Sequence, residues 1–530
     1  MLYRTLLLSA LTLGWAQGSL ARQQQLVFSW EEEELTLKLN AAHHNQQPAP
    51  VVDGPDVWSE EAEQMSAGTT PVHTKSTDDT DGGEWLAVAQ HPAFPEYQLR
   101  IREPQLCDST VKQYSGYLDV GQNKHFYFWF FASRNNPTSD PVIMWLNGGP
   151  GCSSMTGLLM ELGPCRVNGQ GDGLLPNPHS WNNRANLIFL DQPMNVGYSH
   201  GQGVFNSITA SEDVYAFLQI FFQKFNEYAA LPFHIFGESY GGHYVPAIGR
   251  KVFDMNLHLQ DEFSALGHDL RVKGVEVINL ESLGIGNGLV DELVQYKYYS
   301  TMACSSSYGS VLGKDACRRM DEGFPTCARL IQQCYDHESA LSCVPASVQC
   351  NAKIIRPYQE SGLNPYDVRE KCKGGQLCYP IIEAIEKYMN RPEVMKDLGA
   401  EVDKFQGCNM NVNLGFQLAG DWMRPYMRML PDMLDFGIRV LVYAGDADFI
   451  CNWYGNKAWT LELPWSGKQA FNDAQDQSWQ LADAKAAGEV RSVDNFTFLR
   501  VFEAGHMVPY DQPEASADMI ERWINKKPFA

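Results

Sequence analysis

The pattern Gly237-Glu238-Ser239-Tyr240-Gly241 limits the possible folds of this chain more than any other stretch. It follows the apolar run Leu231 to Phe236, so G-x-S-x-G falls where a strand turns into a helix. Gly237 and Gly241 permit a sharp turn that pushes the serine hydroxyl outward, and they let the helix pack close against the strand. A serine on such a corner is a candidate nucleophile. The bland alternative is an ordinary tight turn in a chain with 44 glycines.

The surroundings favour the first reading. Apolar strands are predicted at Val142 to Leu146, Leu187 to Leu190, Val275 to Leu280, Val440 to Tyr443 and Phe496 to Phe502, with helical segments between them. One helix spaces Val214, Phe217, Leu218, Phe221, Phe222 and Phe225 at three and four residues, which buries one face against a sheet. Helices alternating with strands imply an α/β protein with a parallel sheet. Residues 291–427 break the alternation and hold nine of the thirteen cysteines; they are expected to form a cap inserted over the sheet's carboxyl edge. The core is then residues 101–290 and 428–530.

The N-terminal hundred residues have a different texture. Met1 to Ala21 carries Arg4, the apolar run Leu6 to Trp15 and then small residues, the pattern of a secretory signal peptide. Residues 22–100 contain fourteen Asp or Glu against four Lys or Arg, and no cysteine, in a chain of net charge −22. They are expected to be a pro-segment, with a cut between Tyr97 and Glu103. Thirteen cysteines in a chain with a signal peptide suit an oxidising compartment. No later run is long enough to span a bilayer, and clustered Lys and Arg for nucleic-acid phosphates are lacking.

A nucleophilic serine needs a base and the base needs an orienting carboxylate. Beyond the helix that follows Ser239, His268 and His337 lie in polar, irregular contexts, whereas His506 stands straight after the strand Phe496 to Phe502. His243, on that helix, is the competitor. Gly445-Asp446-Ala447-Asp448 follows another strand, and local spacing leaves Asp446 and Asp448 equal candidates. Donors for an oxyanion come from Tyr240, next to the nucleophile, and from the loop Asn147-Gly148-Gly149-Pro150-Gly151 after the strand ending at Leu146. The order Ser, Asp, His is that of the α/β-hydrolase fold, here with a disulfide-rich cap insertion.

Trp145 to Ser154, Gly237 to Gly242 and Gly505-His506-Met507-Val508-Pro509 together resemble the serine carboxypeptidases, as do Gln113 to Leu118, Leu190 to Pro193 and Asp446 to Trp453. The resemblance runs from about Arg100 to the C-terminus. It implies Ser239 as nucleophile, His506 as base and Asp448 as its orienter, with Gly149 and Tyr240 in the oxyanion hole. It implies that Asn147, Gly148, Glu161 and Glu238 receive the substrate's terminal carboxylate. Two carboxyls that close cannot both stay charged, so one keeps a proton in acid and donates it. Thr156, Tyr366, Tyr379 and Met507 match positions around the leaving residue and suggest a taste for apolar side chains.

The same resemblance implies the pairs Cys152–Cys408, Cys304–Cys317, Cys327–Cys350, Cys334–Cys343 and Cys372–Cys378, with Cys451 a free thiol near the site. Cys107 and Cys165 have no counterpart in that pattern and are expected to bond each other. Asn495-Phe496-Thr497 is the one acceptable glycosylation sequon, usable only if exposed. The reading is therefore an exopeptidase made as an inactive precursor, acting in acid on peptides and proteins with a free C-terminus. Its pro-segment would be its inhibitor or folding aid. The expected destination is the vacuole, with secretion as the alternative. The expected state is a monomer without cofactor, metal, nucleic-acid partner or membrane span. A lipase or esterase would share the serine corner but has no use for Asn147, Glu161 and Glu238. A non-catalytic homologue would have no use for an intact Ser239, Asp448 and His506.

Overall fold

The structure is a computed structural model and describes residues 85–121 and 123–530. The signal peptide and all but the last residues of the expected pro-segment lie outside the described residues. The main sheet comprises β1 (Ala87–His91), β2 (Phe94–Arg102), β3 (Gln113–Val120), β4 (Lys124–Phe131), β5 (Val142–Leu146), β6 (Asn186–Leu190), β7 (Phe233–Glu238), β8 (Leu280–Gly286), β9 (Arg439–Gly445), β10 (Gln477–Gln480), β11 (Ala486–Val493) and β12 (Phe496–Val501). Their order is β1-β2-β3-β4-β6-β5-β7-β8-β9-β12-β11-β10, with the short strand His200–Gly201 beside β4. The centre, β6-β5-β7-β8-β9-β12, is parallel and both flanks are antiparallel. β5 and β6 are wholly buried, as strands covered on both faces must be, which is why they read as continuous apolar runs. Helices α1 (Ser207–Lys224) and α2 (Gly241–Gln260) follow β6 and β7. Among the described residues no helix is long and apolar enough to cross a membrane.

One sequence expectation needs correction, and two others meet particular surroundings in the fold. The strand placed at Val275 to Leu280 begins only at Leu280. Upstream, the backbone finds side-chain amides instead of a ladder: Gln219 on α1 bonds both the N–H and the carbonyl of Glu276, and Asn256 on α2 does the same for Ile278. The pro-segment boundary near Arg100 falls inside β2, which pairs with β3 from Tyr97 to Arg102. The guanidinium of Arg100 there bonds Asp119 and Glu401, so residues 87–102 are part of the sheet. The sequon is turned inward: Asn495 Nδ2 donates to the carbonyls of Leu434 and Ile438, each at 2.8 Å, and Thr497 is buried with its hydroxyl against Ser492. A glycan on Asn495 would leave its nitrogen one N–H for these two carbonyls.

Between β8 and β9 the described chain adds no strand to the main sheet. It forms helices, among them α3 (Lys314–His337) and α4 (Ala340–Cys350), and a small hairpin, Leu363–Asn364 with Asp367–Lys371. All six expected disulfides are present: Cys107–Cys165, Cys152–Cys408, Cys304–Cys317, Cys327–Cys350, Cys334–Cys343 and Cys372–Cys378. Cys451 is unpaired and buried.

Candidate active site

Parallel strands that point the same way deliver their following loops to one edge. β5 ends before Asn147, β7 before Ser239, β8 before Asn287, β9 before Asp446 to Asp448, and β12 before the loop to His506. Ser239 has φ +62°, a strained conformation for a side-chain-bearing residue, on the corner between β7 and α2. The corner is fixed by its backbone: Ser239 N–H donates to Gly286, and Ser239 carbonyl accepts from Gly242 and Leu289.

His506 and Asp448 meet at 2.7 Å, Nδ1 to Oδ2. Asp448 accepts further bonds from the Asn287 amide at 2.9 Å and from the N–H groups of Ile450 and Cys451. His506 N–H donates to the carbonyl of Tyr366, whose ring stands 5.1 Å from the imidazole. An imidazole held this way by Nδ1 presents Nε2 for taking a proton. Asp446, two residues away, serves elsewhere: it accepts from Tyr308, Arg500 and Glu503 N–H, and so braces the loop leading to His506. His243 is also committed, lying between the Leu289 carbonyl at 2.8 Å and Glu292 at 3.2 Å.

The glycine loop approaches the corner closely. A Cβ on Gly148 would stand 2.3 Å from Tyr240 N. Gly149, at φ +112°, would drive a Cβ to within 2.8 Å of the N atoms of Gly151 and Cys152. Both positions therefore require glycine, and what they bring to the serine is bare backbone. Buried Asp191 holds this loop from behind through Ser153 Oγ at 2.6 Å and Ser154 N–H at 2.9 Å; burial raises its carboxyl to about 7.

Asn147 is oriented by Trp145 Nε1 and Gly157 N–H, both donating to its Oδ1, which turns its amide nitrogen toward Glu161 at 3.3 Å. Glu161 and Glu238 are buried beside each other, and Oε2 of each has no other hydrogen-bond partner. Burial raises both, and for Glu238 the neighbouring charge of Glu161 adds to it. A proton is thus retained between them. Burial first, then Asp448, pushes the Cys451 thiol well up, which keeps it protonated.

Asn147, Gly148, Gly149, Glu238, Ser239, Tyr240, Cys451 and His506 line one cleft. Of the expected leaving-residue positions, Thr156, Tyr366 and Met507 line it, while Tyr379 stands behind Tyr366 with ring centres 5.9 Å apart. Glu161 reaches the cleft through Glu238. Sequence reasoning missed Asn287, and it missed Leu289, Tyr296, Tyr299, Trp422 and Ile450, which also line the cleft. Asn287 could have been suspected from Gly286-Asn287-Gly288 after an apolar run; the aromatic residues carry no local signal. Among the described residues two groups have donor atoms close enough to suggest metal ligation. In one, Asp448 and His506 are bonded to each other; in the other, His125 bonds Asp119 and Glu401 bonds Arg100.

What the fold and this cleft define is a serine hydrolase of the α/β-hydrolase class. The model of the serine carboxypeptidase family matches residues 104–526, and the chain belongs to that family. It is 52% identical to carboxypeptidase Y of Candida albicans over 438 residues, covering 81% of this chain and 77% of that one. It is 44% identical to carboxypeptidase Y homolog A of Phaeosphaeria nodorum over 98% of each chain. Among solved structures it resembles the prohormone-processing carboxypeptidase Kex1 of Saccharomyces cerevisiae, at TM-score 0.68 and 25% identity, covering 80% of this chain and 94% of that one.

Proposed function

We propose that this serine carboxypeptidase removes single residues from the C-terminus of peptides and proteins in acid, with a preference for apolar leaving residues. The observation that carries the reading is the buried Glu161–Glu238 carboxyl pair directly before Ser239. A protonated carboxyl there donates to the substrate's terminal carboxylate, which fixes the last peptide bond over the serine; an enzyme for internal bonds or simple esters has no need of it.

In this reading Ser239 Oγ attacks the last peptide carbonyl while His506 Nε2 takes the hydroxyl proton. Asp448 keeps the imidazole in the right tautomer and steadies its charge. The oxyanion is met by the N–H groups of Gly149 and Tyr240. Collapse breaks the C–N bond, and the leaving amine takes the proton from His506. Water then attacks the acyl-serine by the same route in reverse. Thr156, Tyr366, Tyr379 and Met507 surround the released side chain.

Residues 1–21 act as the signal peptide and an acidic pro-segment follows it. Trp85, packed on Tyr117 and under Arg100, favours a processing site upstream of residue 85, because a cut within β2 would strip two strands from the sheet. The mature chain acts in the vacuole as a monomer. The test is timed mass spectrometry of an unrelated peptide with the processed protein. A ladder shortening from the C-terminus supports the reading, and internal cuts overturn it.

A further inference from the structure

Tyr240 is more than a backbone donor. Its phenol is buried and donates to Asp421 Oδ2 at 2.9 Å. Burial first, and Asp421 next, hold that phenol far above its ordinary titration range, so it remains a donor. Asp421 is wholly buried and belongs to the helical region between β8 and β9. Its carboxyl also accepts Ser207 Oγ at 2.7 Å, Ser207 N–H at 3.2 Å and the Tyr426 phenol at 2.6 Å. Ser207 opens helix α1 of the core. One carboxyl therefore ties the cap, the core helix and the residue after the nucleophile into a single joint.

The rest of the Tyr240 ring is boxed in. The His243 imidazole stacks on it with centres 4.1 Å apart and planes 15° apart, and Trp422 lies at 5.3 Å. His243 is in turn fixed by Glu292 and by the carbonyl of Leu289, whose N–H holds the Ser239 carbonyl. Burial opposes charge on this imidazole, but Glu292, Asp421 and the Leu289 carbonyl together outweigh it and His243 is raised. Only the far end of the Tyr240 ring is secured by a hydrogen bond, and that bond comes from the cap. A buried hydrogen bond at the tip of a rigid side chain has long leverage over the peptide at its root.

We propose that Asp421 is a positioning residue for acyl transfer: through the Tyr240 phenol it aims the Tyr240 N–H at the developing oxyanion, so that catalytic competence depends on a seated cap. This rests on the reading of Tyr240 as an oxyanion donor. The effect belongs to the transition state, because a donor misplaced by a fraction of an ångström still tolerates bound substrate.

The test compares Asp421→Asn, Tyr240→Phe and the double variant in the processed protein; Tyr240→Phe removes only the phenol's bond, and Asp421→Asn replaces the carboxylate acceptor at nearly constant volume. kcat and KM are measured on a blocked dipeptide, together with affinity for a peptidyl boronate and for the released amino acid. Each single variant is expected to lose about 10-fold in kcat with KM nearly unchanged. Boronate affinity should fall by the same factor, product affinity should hold, and the double variant should be no worse than the poorer single one. Wild-type kcat in either single variant overturns the proposal. So do equal losses of boronate and product affinity, or losses that multiply in the double variant. A parent protein that binds the boronate no more tightly than product overturns the oxyanion reading itself, and the proposal with it.

Discussion

The central strands β6-β5-β7-β8-β9-β12 are held by parallel ladders with mostly buried side chains, and the residues that matter stand at or beyond their ends. From 291 to 427 there is no main-sheet strand, and four disulfides close loops whose ends are 23 residues apart or fewer. The first region fixes atoms by a repeating lattice that has a direction, so one edge collects Asn147, Ser239, Asp448 and His506. The second fixes them by local staples, and it contributes Tyr296, Tyr299 and Trp422 to the cleft wall. Chemistry sits on the lattice and much of the cleft's apolar wall on the stapled region, joined by Cys152–Cys408 and by Asp421. The division explains how a cleft wall can vary while the reacting atoms stay put.

The largest expected effect tests the lattice side alone. Ser239→Ala should lower kcat by about 10⁶, leaving only background rate, while thermal unfolding changes little. Activity within about a hundredfold of the parent would mean that the serine corner is not where acyl transfer happens. Next come the staples. In the chain-entropy picture a disulfide stabilises more the longer the loop it closes. Cys152–Cys408 spans 256 residues and Cys372–Cys378 only 6. Replacing the first pair by serine should lower unfolding free energy by about 5 kcal/mol, and the second by about 2 kcal/mol. Equal losses in denaturant titrations would show that the long bridge does not tie the two regions together in the way proposed.

A smaller effect separates the regions by pH. His234, on β7, is wholly buried against Ser282. Burial above all, with Arg439 and Lys526, depresses it to about 3. A histidine depressed in the fold contributes fully above its unfolded value near 6.5, and that contribution is lost as pH falls toward 3. Between pH 6.5 and 5 the loss is about 2 kcal/mol. Asp191, raised to about 7, acts in the opposite sense, so the informative quantity is the difference in slope between parent and His234→Gln. Disulfides do not titrate, and a variant that keeps the parent's full acid slope would remove His234 from the account.

The two regions also differ in what could be read from the chain. The strand ends were legible because buried parallel strands read as short continuous apolar runs, and Ser239, Asp448 and His506 follow such runs within a few residues. Asp446 and Asp448 were indistinguishable by spacing, since the choice depends on Arg500, Tyr308 and Asn287, which come from other strands and loops. The failed strand at Val275 to Leu280 had a good apolar pattern; Gln219 and Asn256 took its hydrogen bonds, which no local window contains. The same holds for Asp421, whose partners Ser207 and Tyr240 lie 214 and 181 residues away. What was missed is contact between remote segments, in the core as well as at the joint with the cap.

The smallest predicted effect concerns a charge held by the lattice region alone. Glu161 lies on the turn after the glycine loop and Glu238 ends β7, so both belong to the core. Burial raises both carboxyls and keeps a proton between them in acid. As pH rises through their raised titration range that proton is lost, and a donor to the substrate carboxylate becomes a repelling charge. KM for peptides should therefore rise toward alkaline pH while kcat holds. Glu238→Gln supplies an amide donor that does not titrate, in place of a carboxyl that shares its proton with Glu161. It should raise KM in acid by about 10-fold and flatten its rise at higher pH. A parent whose KM is level from acid to alkali, or a variant that keeps the parent's slope, would separate carboxylate recognition from this pair. The cleft's preference for a free C-terminus would then have to originate in the stapled region above the sheet.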